Sequence, residues 1–98
     1  MRYAFDWDPV KAASNLAKHG VTFDEAMGVF RDPLHLSRLD EDHEATEERW
    51  VTLGDNGEGK RLVVVHTYVE AADDGAQIRI MSARAPTRRE IRNYEQGT

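Results

Sequence analysis

The sequence predicts an α+β domain in which two N-terminal helices pack on a three- or four-stranded, mainly antiparallel sheet and a C-terminal helix follows the last strand. Apolar residues recur at helical spacing in the first thirty residues. Between residues 49 and 83, apolar and β-branched runs are separated by glycine-containing turns, which is typical of strands. Neither early helix can bury its apolar stripe alone, so both are expected to cover one face of the sheet.

The first helix is predicted from signals at its two ends. Asp8 is a good N-cap, and Pro9 suits the first helical position. Gly20, directly after His19, can take the left-handed conformation that ends a helix. The apolar stripe expected to face the sheet consists of Val10, Ala13, Leu16 and Ala17.

The other two helices begin with the spacing of a capping box. Thr22 and Glu25 open the second helix, and Thr87 and Glu90 open the last one. The second helix is predicted to end before Pro33. Its buried face is predicted to comprise Phe23, Ala26, Met27 and Phe30.

Strand patterns occur at residues 34–39, 49–53, 61–70 and 78–83, and residues 3–7 could add a short edge strand. The unbroken apolar run Leu62–Val65 indicates a central strand that is covered on both faces. The acidic residues 40–48 are predicted to form a loop, and residues 71–75 a turn.

Length and composition fit a single domain covering residues 1–98. The chain is 40% hydrophobic and 32% charged, which is too apolar for a disordered chain and too polar for a membrane protein. It contains no cysteine, which excludes disulfides, thiolate catalysis and zinc–thiolate sites. The N-terminus shows no apolar signal-peptide stretch, so the expected compartment is the cytoplasm and no membrane partner is expected.

Charge is distributed unevenly along the chain, whose formal net charge is −5. Residues 1–58 hold 6 Lys and Arg against 13 Asp and Glu, whereas residues 59–98 hold 7 against 5. Five arginines and one acid fall within residues 79–92. The net charge counts against a general nucleic-acid binder, but the late arginines leave room for a locally basic site. The acidic half serves solubility or forms a docking surface for a basic partner.

Four segments together resemble the BrnT family of toxins. They are Phe5–Ala12, Asn15–Phe23, Arg49–Gly54 and Ile78–Glu90, and they span nearly the whole chain in the family's order and spacing. The resemblance implies a RelE-like fold, ribonuclease activity that inhibits translation, and neutralisation by a ribbon-helix-helix (BrnA-like) antitoxin. Toxin and antitoxin of that family together repress their own promoter, so this chain is expected to meet operator DNA only through the antitoxin.

RNA cleavage without cysteine or metal would use the substrate's own 2′-hydroxyl as the nucleophile. Such cleavage needs proton-transfer groups and cations that hold the charge developing on the phosphate. The candidate catalytic residues are Arg49, Ser82, Arg84 and His19. The alternatives are an ion pair to the acidic loop for Arg49, a backbone hydrogen bond for Ser82 and a helix-end role for His19.

Further cationic and aromatic residues are candidates for substrate binding. They are Arg79, Arg88, Arg89, Lys11, Lys18 and Tyr94. A plain solvated helix face is the alternative for Lys11 and Lys18, which share their face with Asn15, and also for the arginines of the last helix. Tyr94 could instead pack against Ile91. Glu90 is explained by its capping box and is not predicted to be the general base.

Neither a metal nor another cofactor is expected. Asp40, Asp42 and Glu44 alternate as in a calcium loop, but Ala45 stands where an EF-hand needs glycine. The central His66 is interpreted as a satisfied interior residue. The competing hypothesis to an enzyme is a non-catalytic binding module that acts as the partner of a DNA-binding regulator, which the net acidity favours.

Overall fold

The computed structural model describes residues 2–41, 48–71 and 74–97. The elements in chain order are β1 (Arg2–Asp6), α1 (Pro9–His19), α2 (Phe23–Met27), a 3₁₀ turn (Gly28–Arg31), β2 (Leu36–Leu39), β3 (Trp50–Asp55), β4 (Arg61–Glu70), β5 (Gly75–Arg84) and α3 (Arg88–Gln96). The acidic-loop prediction for residues 42–47 and part of the predicted turn, residues 72–73, lie outside the described residues. Within the described ranges, no helix is long and apolar enough to cross a membrane.

The sheet has five strands in the order β1-β5-β4-β3-β2. The expected count of three or four strands was therefore too low, although the α+β class is confirmed. Neighbouring strands pair antiparallel except for β1, which lies parallel to β5 and makes the sheet mixed. Side-chain alternation in a sequence does not report which neighbour a strand pairs with or in which direction. β4 lies at the centre, as its apolar run indicated.

The β4–β5 ladder contains a bulge that changes which face the end of β5 presents. His66 pairs with Ile80, but Val65 pairs with Ser82, so Met81 has no partner on β4. An extra residue in one strand reverses the inside–outside alternation beyond it. Ile80 therefore faces one side of the sheet, whereas Ser82 faces the other.

The predicted starts of the three helices and the predicted end of α1 are confirmed. The Asp8 side chain accepts a hydrogen bond from Val10 N–H at 2.9 Å, and Gly20 ends α1 with φ 69°. The capping boxes Thr22–Glu25 and Thr87–Glu90 are both formed, so α2 and α3 start where their local sequence signals predict.

The second predicted helix is shorter than its pattern suggested. α2 has 5 residues and passes into the 3₁₀ turn at Gly28. A Cβ at Gly28 would lie 2.2 Å from the backbone oxygen of Asn56, so only glycine allows the chain to approach the β3–β4 turn here. The expected inward residues still face the core, because Phe23, Ala26 and Phe30 are buried and Met27 packs against them.

Two apolar clusters lie on opposite faces of the sheet. The larger cluster joins α1, α2 and the 3₁₀ turn to Val64, Ile78, Ile80 and Ala83, as expected for the early helices. The smaller cluster contains Val51, Leu53 and Val63 of the sheet together with Tyr94 of α3. Val63 and Val64 are neighbours in β4 and belong to different clusters, which shows that both faces of the central strand are covered.

The predicted inward stripe of α1 was wrong. Val10 is 74% exposed and Leu16 48% exposed, and Ala13 and Ala17 also lie on the exposed side. The buried residue is Asn15, which the sequence placed on a cationic face with Lys11 and Lys18. Its side-chain amide turns this side of the helix toward the sheet.

Asn15 completes the outer edge of β5. β1 covers β5 only from Gly75 to Arg79, so the backbone of Ala83 has no neighbouring strand on that side among the described residues. Asn15 Nδ2 donates to the carbonyls of Ala83 (2.9 Å) and Val21 (3.0 Å), and its Oδ1 accepts from Ala83 N–H at 3.0 Å. The amide therefore takes the place of a strand and satisfies buried backbone groups.

Replacing Asn15 by alanine should destabilise the fold. The change removes three buried hydrogen bonds and leaves Ala83 unsatisfied, so we expect the free energy of unfolding to fall by roughly 2–4 kcal/mol. Urea denaturation followed by circular dichroism would measure it. Ser14→Ala, an exposed change one residue away, is the matched control and should stay within about 0.5 kcal/mol. Equal unfolding midpoints for the two variants would contradict this role of Asn15.

Candidate active site on the α3 face of the sheet

Ser82 and Arg84 lie on the sheet face that α3 covers in part. Ser82 is level with Val65 of β4, and Arg84 is level with Val63. Directly opposed residues of an antiparallel pair point to the same side, and Val63 belongs to the α3-side cluster. A hollow of about 220 Å³ opens on the same face, and Val63 and Glu90, which contact Arg84, line it, whereas Ser82 and Arg84 themselves do not. This α3 hollow is lined by Leu36, Ser37, Arg38, Val51, Leu53, Val63, Glu90 and Asn93.

Arg84 and Glu90 form a two-point ion pair at the rim of the α3 hollow. Arg84 Nη1 donates to Glu90 Oε1 at 2.8 Å and Nη2 donates to Oε2 at 3.0 Å. This hydrogen-bonded guanidinium lowers the pKa of Glu90 from 4.5 to about 2, although partial burial opposes the shift. Glu90 in turn raises the pKa of Arg84. Both groups are therefore charged at neutral pH.

One edge of the Arg84 guanidinium still faces solvent. Its Nη1 also donates to the carbonyl of Ala85 at 3.2 Å, so both Nη1 hydrogens are engaged. Among the described residues, no acceptor binds Nε–H or the second Nη2 hydrogen. These two hydrogens lie on the same edge and form a fork that matches two phosphate oxygens. The side chain is 38% exposed, which leaves that edge accessible.

Glu90 also caps α3, so the same side chain binds both Arg84 at the end of β5 and Thr87 at the start of α3. Its Oε1 accepts from Thr87 N–H at 2.8 Å, and its own N–H donates to Thr87 Oγ1 at 3.2 Å. The capping box was predicted, but the ion pair with Arg84 was not. The sequence feature that could have indicated this ion pair is the short distance of six residues between Arg84 and Glu90, with the strand-ending Pro86 between them.

Tyr94 anchors the other end of α3. Its hydroxyl donates to Asp32 Oδ2, and the Arg61 guanidinium lies 5.0 Å from the centre of its ring. Asp32 also accepts from Asp55 N–H at 2.8 Å. Partial burial tends to raise the pKa of Asp32, but these hydrogen bonds outweigh it and lower the pKa. The hydrogen bond to Asp32 raises the pKa of Tyr94.

The comparison of the chain with family models gives a match over residues 7–90, to the family described as the ribonuclease toxin, BrnT, of type II toxin–antitoxin systems. The chain belongs to the BrnT family. Among solved structures, it is similar to the 1.1 Å crystal structure of the Brucella abortus ribonuclease toxin BrnT, with a TM-score of 0.59 and 18% identity. That match covers 90% of this chain and 100% of the Brucella chain, and it shows a shared fold. The comparison with curated protein sequences gave no match.

Arg49, the remaining arginine among the candidate catalytic residues, lies just before β3. Its carbonyl accepts from Asp40 N–H at 2.7 Å, so the β2–β3 ladder continues to this point. Alternation places Arg49 on the face of Val51, which is the face of Ser82. Leu53 pairs with Val63, which in turn pairs with Arg84. Arg49 precedes Leu53 by four residues, so it is displaced from the level of Arg84 by about 13 Å along the strand direction.

The other candidates occupy three different places. Arg88 and Arg89 are exposed in the first turn of α3, close in sequence to Arg84. Arg79 lies on β5 and makes an ion pair with Asp6 of β1 at 3.0 Å. Lys11, Lys18 and His19 are exposed on α1, which packs on the opposite face of the sheet from α3.

Sequence reasoning missed Arg38 and Asn93, which line the α3 hollow from β2 and α3. Arg38 is level with Val51, so strand alternation in β2 could have pointed to it once the register was known. Among the described residues, no group of three or more histidine, aspartate or glutamate side chains could hold a metal ion.

The Arg84–Glu90 pair predicts a specific pH dependence of stability. Since the folded pKa of Glu90, about 2, lies below the ordinary value of 4.5, its stabilisation is full above pH 4.5 and is lost as the pH falls toward 2. The difference in unfolding free energy between the parent and Glu90→Gln should therefore shrink across that window. Urea titrations at several pH values would measure it.

Glu95→Gln, which removes a more exposed carboxylate from the same helix, is the charge-matched control for this series. A parent-minus-Glu90→Gln difference that stays constant from pH 5 to pH 2 would show that the ion pair does not stabilise the folded chain.

Proposed function

We propose that this chain is an endoribonuclease that cleaves RNA at the α3 hollow by attack of the substrate's 2′-hydroxyl. The observation that carries the proposal is the Arg84 guanidinium, which Glu90 holds with one donor edge open, on the sheet face that also carries Ser82. The family description of a ribonuclease toxin supports the same reaction class.

In this mechanism Arg84 holds the scissile phosphate and Ser82 donates a hydrogen bond to one of its oxygens. The 2′-hydroxyl gives its proton to solvent as its oxygen bonds to phosphorus, the bond from phosphorus to the 5′-oxygen breaks, and the leaving 5′-oxygen takes a proton from solvent. The products are a 2′,3′-cyclic phosphate and a 5′-hydroxyl. Charge builds on the phosphate oxygens during attack, where a fixed guanidinium is most effective. Because Arg84 is already oriented by Glu90, little side-chain freedom is lost when the phosphate binds.

Glu90 acts as a positioning residue rather than as the general base. A carboxylate with a pKa of about 2 is a weak proton acceptor at neutral pH. Arg49, on the same face, and Arg88 and Arg89, at the start of α3, would hold flanking phosphates. His19, Lys11 and Lys18 lie across the sheet, so their proposed contacts with RNA would involve a more distant part of the strand.

Cleavage of RNA by this site would inhibit translation, and the proposed regulator is a ribbon-helix-helix antitoxin. Membership of a type II toxin–antitoxin family supports a protein antitoxin. The chain would contact operator DNA only through that partner, and both would act in the cytoplasm. The excess of acidic residues within the first 58 positions supports association with a basic partner.

A second candidate function is a non-catalytic partner of a DNA-binding regulator. Its supporting observation is that Glu90 already neutralises Arg84 in a chain of net charge −5. Expression alone in a bacterial host separates the two functions, because a ribonuclease toxin stops growth and a passive partner does not.

Arg84→Lys should lower RNA cleavage by about 10²–10³-fold, since lysine keeps the charge but loses the fork of donors. Cleavage of a labelled single-stranded RNA in EDTA would measure the rate. Arg31→Ala, an exposed arginine of the 3₁₀ turn, is the matched control and should cleave like the parent. Equal rates for Arg84→Lys and the parent would refute the phosphate clamp, and no cleavage by the parent would favour the binding module.

A further inference from the structure

A second pocket lies on the opposite face of the sheet from the α3 hollow. It measures about 200 Å³, and its lining is almost entirely apolar. It is lined by Trp50, His66, Tyr68 and Ser37, and we call it the aromatic pocket. Ser37 lies on the edge strand β2 and also borders the α3 hollow. His66 packs edge-on against Phe30 of the larger cluster, with ring centres 4.7 Å apart. The mechanism proposed for the α3 hollow uses none of these side chains.

A chain of hydrogen bonds runs from the buried sheet to the mouth of this pocket. His66 Nδ1 lies 2.9 Å from the carbonyl oxygen of Thr67, and His66 Nε2 lies 2.7 Å from Thr52 Oγ1. Thr52 Oγ1 lies 2.7 Å from the hydroxyl of Ser37. Thr52 and His66 are buried, whereas Ser37 is exposed on the edge strand β2.

The direction of this chain follows from its inner end. A carbonyl oxygen only accepts, so His66 carries its proton on Nδ1 and Nε2 is an acceptor. Burial lowers the pKa of His66, which keeps the ring neutral at pH 7. Thr52 must then donate its single hydroxyl hydrogen to Nε2 and accept from Ser37. Ser37 Oγ therefore has only lone pairs left to offer the pocket.

We propose that the aromatic pocket binds an RNA nucleobase that donates an N–H to Ser37 Oγ. A planar base fits a small apolar pocket whose walls include Trp50 and Tyr68, because aromatic side chains stack on bases of any sequence. A hydrogen-bond chain that ends in an acceptor selects bases with a donor on the contacted edge, since a base that offers only acceptors leaves the lone pairs of Ser37 Oγ without a donor.

The edge strand connects this pocket to the site of cleavage. Ser37 and Arg38 are neighbours in β2, and successive residues of a strand point to opposite faces. Arg38 is level with Val51 of the α3-side cluster, whereas Ser37 is bonded to Thr52 on the other side. A single strand of RNA that crosses the β2 edge would place a phosphate beside Arg38 and the adjoining base in the aromatic pocket. This link to cleavage rests on the proposed ribonuclease function.

The test uses nucleosides, which carry no phosphate and so do not depend on the arginine clamp. The chain has two tryptophans, so Trp7→Phe leaves Trp50 as the single tryptophan, whose emission is excited selectively at wavelengths where tyrosine does not absorb. Adenosine should quench Trp50 and bind about five- to tenfold more tightly than purine riboside, which lacks the exocyclic amine. Equal affinities, or no quenching by adenosine up to its solubility, would overturn the proposal.

Two variants in the Trp7→Phe background test the direction of the chain. Ser37→Ala should abolish the preference for adenosine by weakening adenosine binding alone. Thr52→Val should also reduce the preference, because it frees the Ser37 hydroxyl hydrogen to donate to purine riboside. Ser14→Ala should leave both affinities unchanged. A preference that survives in Ser37→Ala would show that another group reads the base.

Cleavage of RNA by the same preparations separates this inference from the proposed function. Adenosine selectivity without any RNA cleavage would support the base pocket and contradict the ribonuclease. Cleavage by the parent without a response of Trp50 to nucleosides would support the ribonuclease and contradict the pocket.

Discussion

The hydrogen bonds between the Asn15 amide and the backbone of Ala83 are the constraint on which the candidate site depends. β1 is too short to pair with the end of β5, and beyond β1 the Asn15 side chain forms hydrogen bonds with the backbone of that end. Ala83 stands between Ser82 and Arg84, so the amide holds in place the backbone that carries both. The helix layer thereby positions groups on the far side of the sheet, and function on one face is supported by packing on the other.

The features that the sequence predicts well are local ones. A capping box, a proline at a helix start and a glycine at a helix end act over three or four residues, and each one appears where expected. The apolar stripe of α1 failed because a polar contact across 68 residues turns the helix. The parallel pairing of β1 with β5 could not be predicted either, since the residues of a strand do not specify which strand pairs with it.

In the candidate site, too, local features could be predicted from the sequence and long-range contacts could not. Ser82 and Arg84 share a face, as their spacing of two indicates, but which face they share depends on tertiary structure. Glu90 was explained completely by its cap, and the same carboxylate also holds Arg84. His66 was interpreted as a satisfied interior residue, and its two ring nitrogens do have partners. The hydroxyl chain leading outward from it required the register of three strands to be known.

The bulge at Met81 determines on which surface of the sheet the polar end of β5 lies. Ile80 and Ser82 have the same parity in the sequence but point to opposite sides because Met81 is left out of the ladder. If Met81 instead paired with Val65, Ser82 would pair with Val64, and the guanidinium of Arg84 would turn under α1, where Ala83 now sits. The unpaired residue therefore lets one strand give its apolar side chains to the helices along its whole length and still carry a serine and an arginine on the opposite surface.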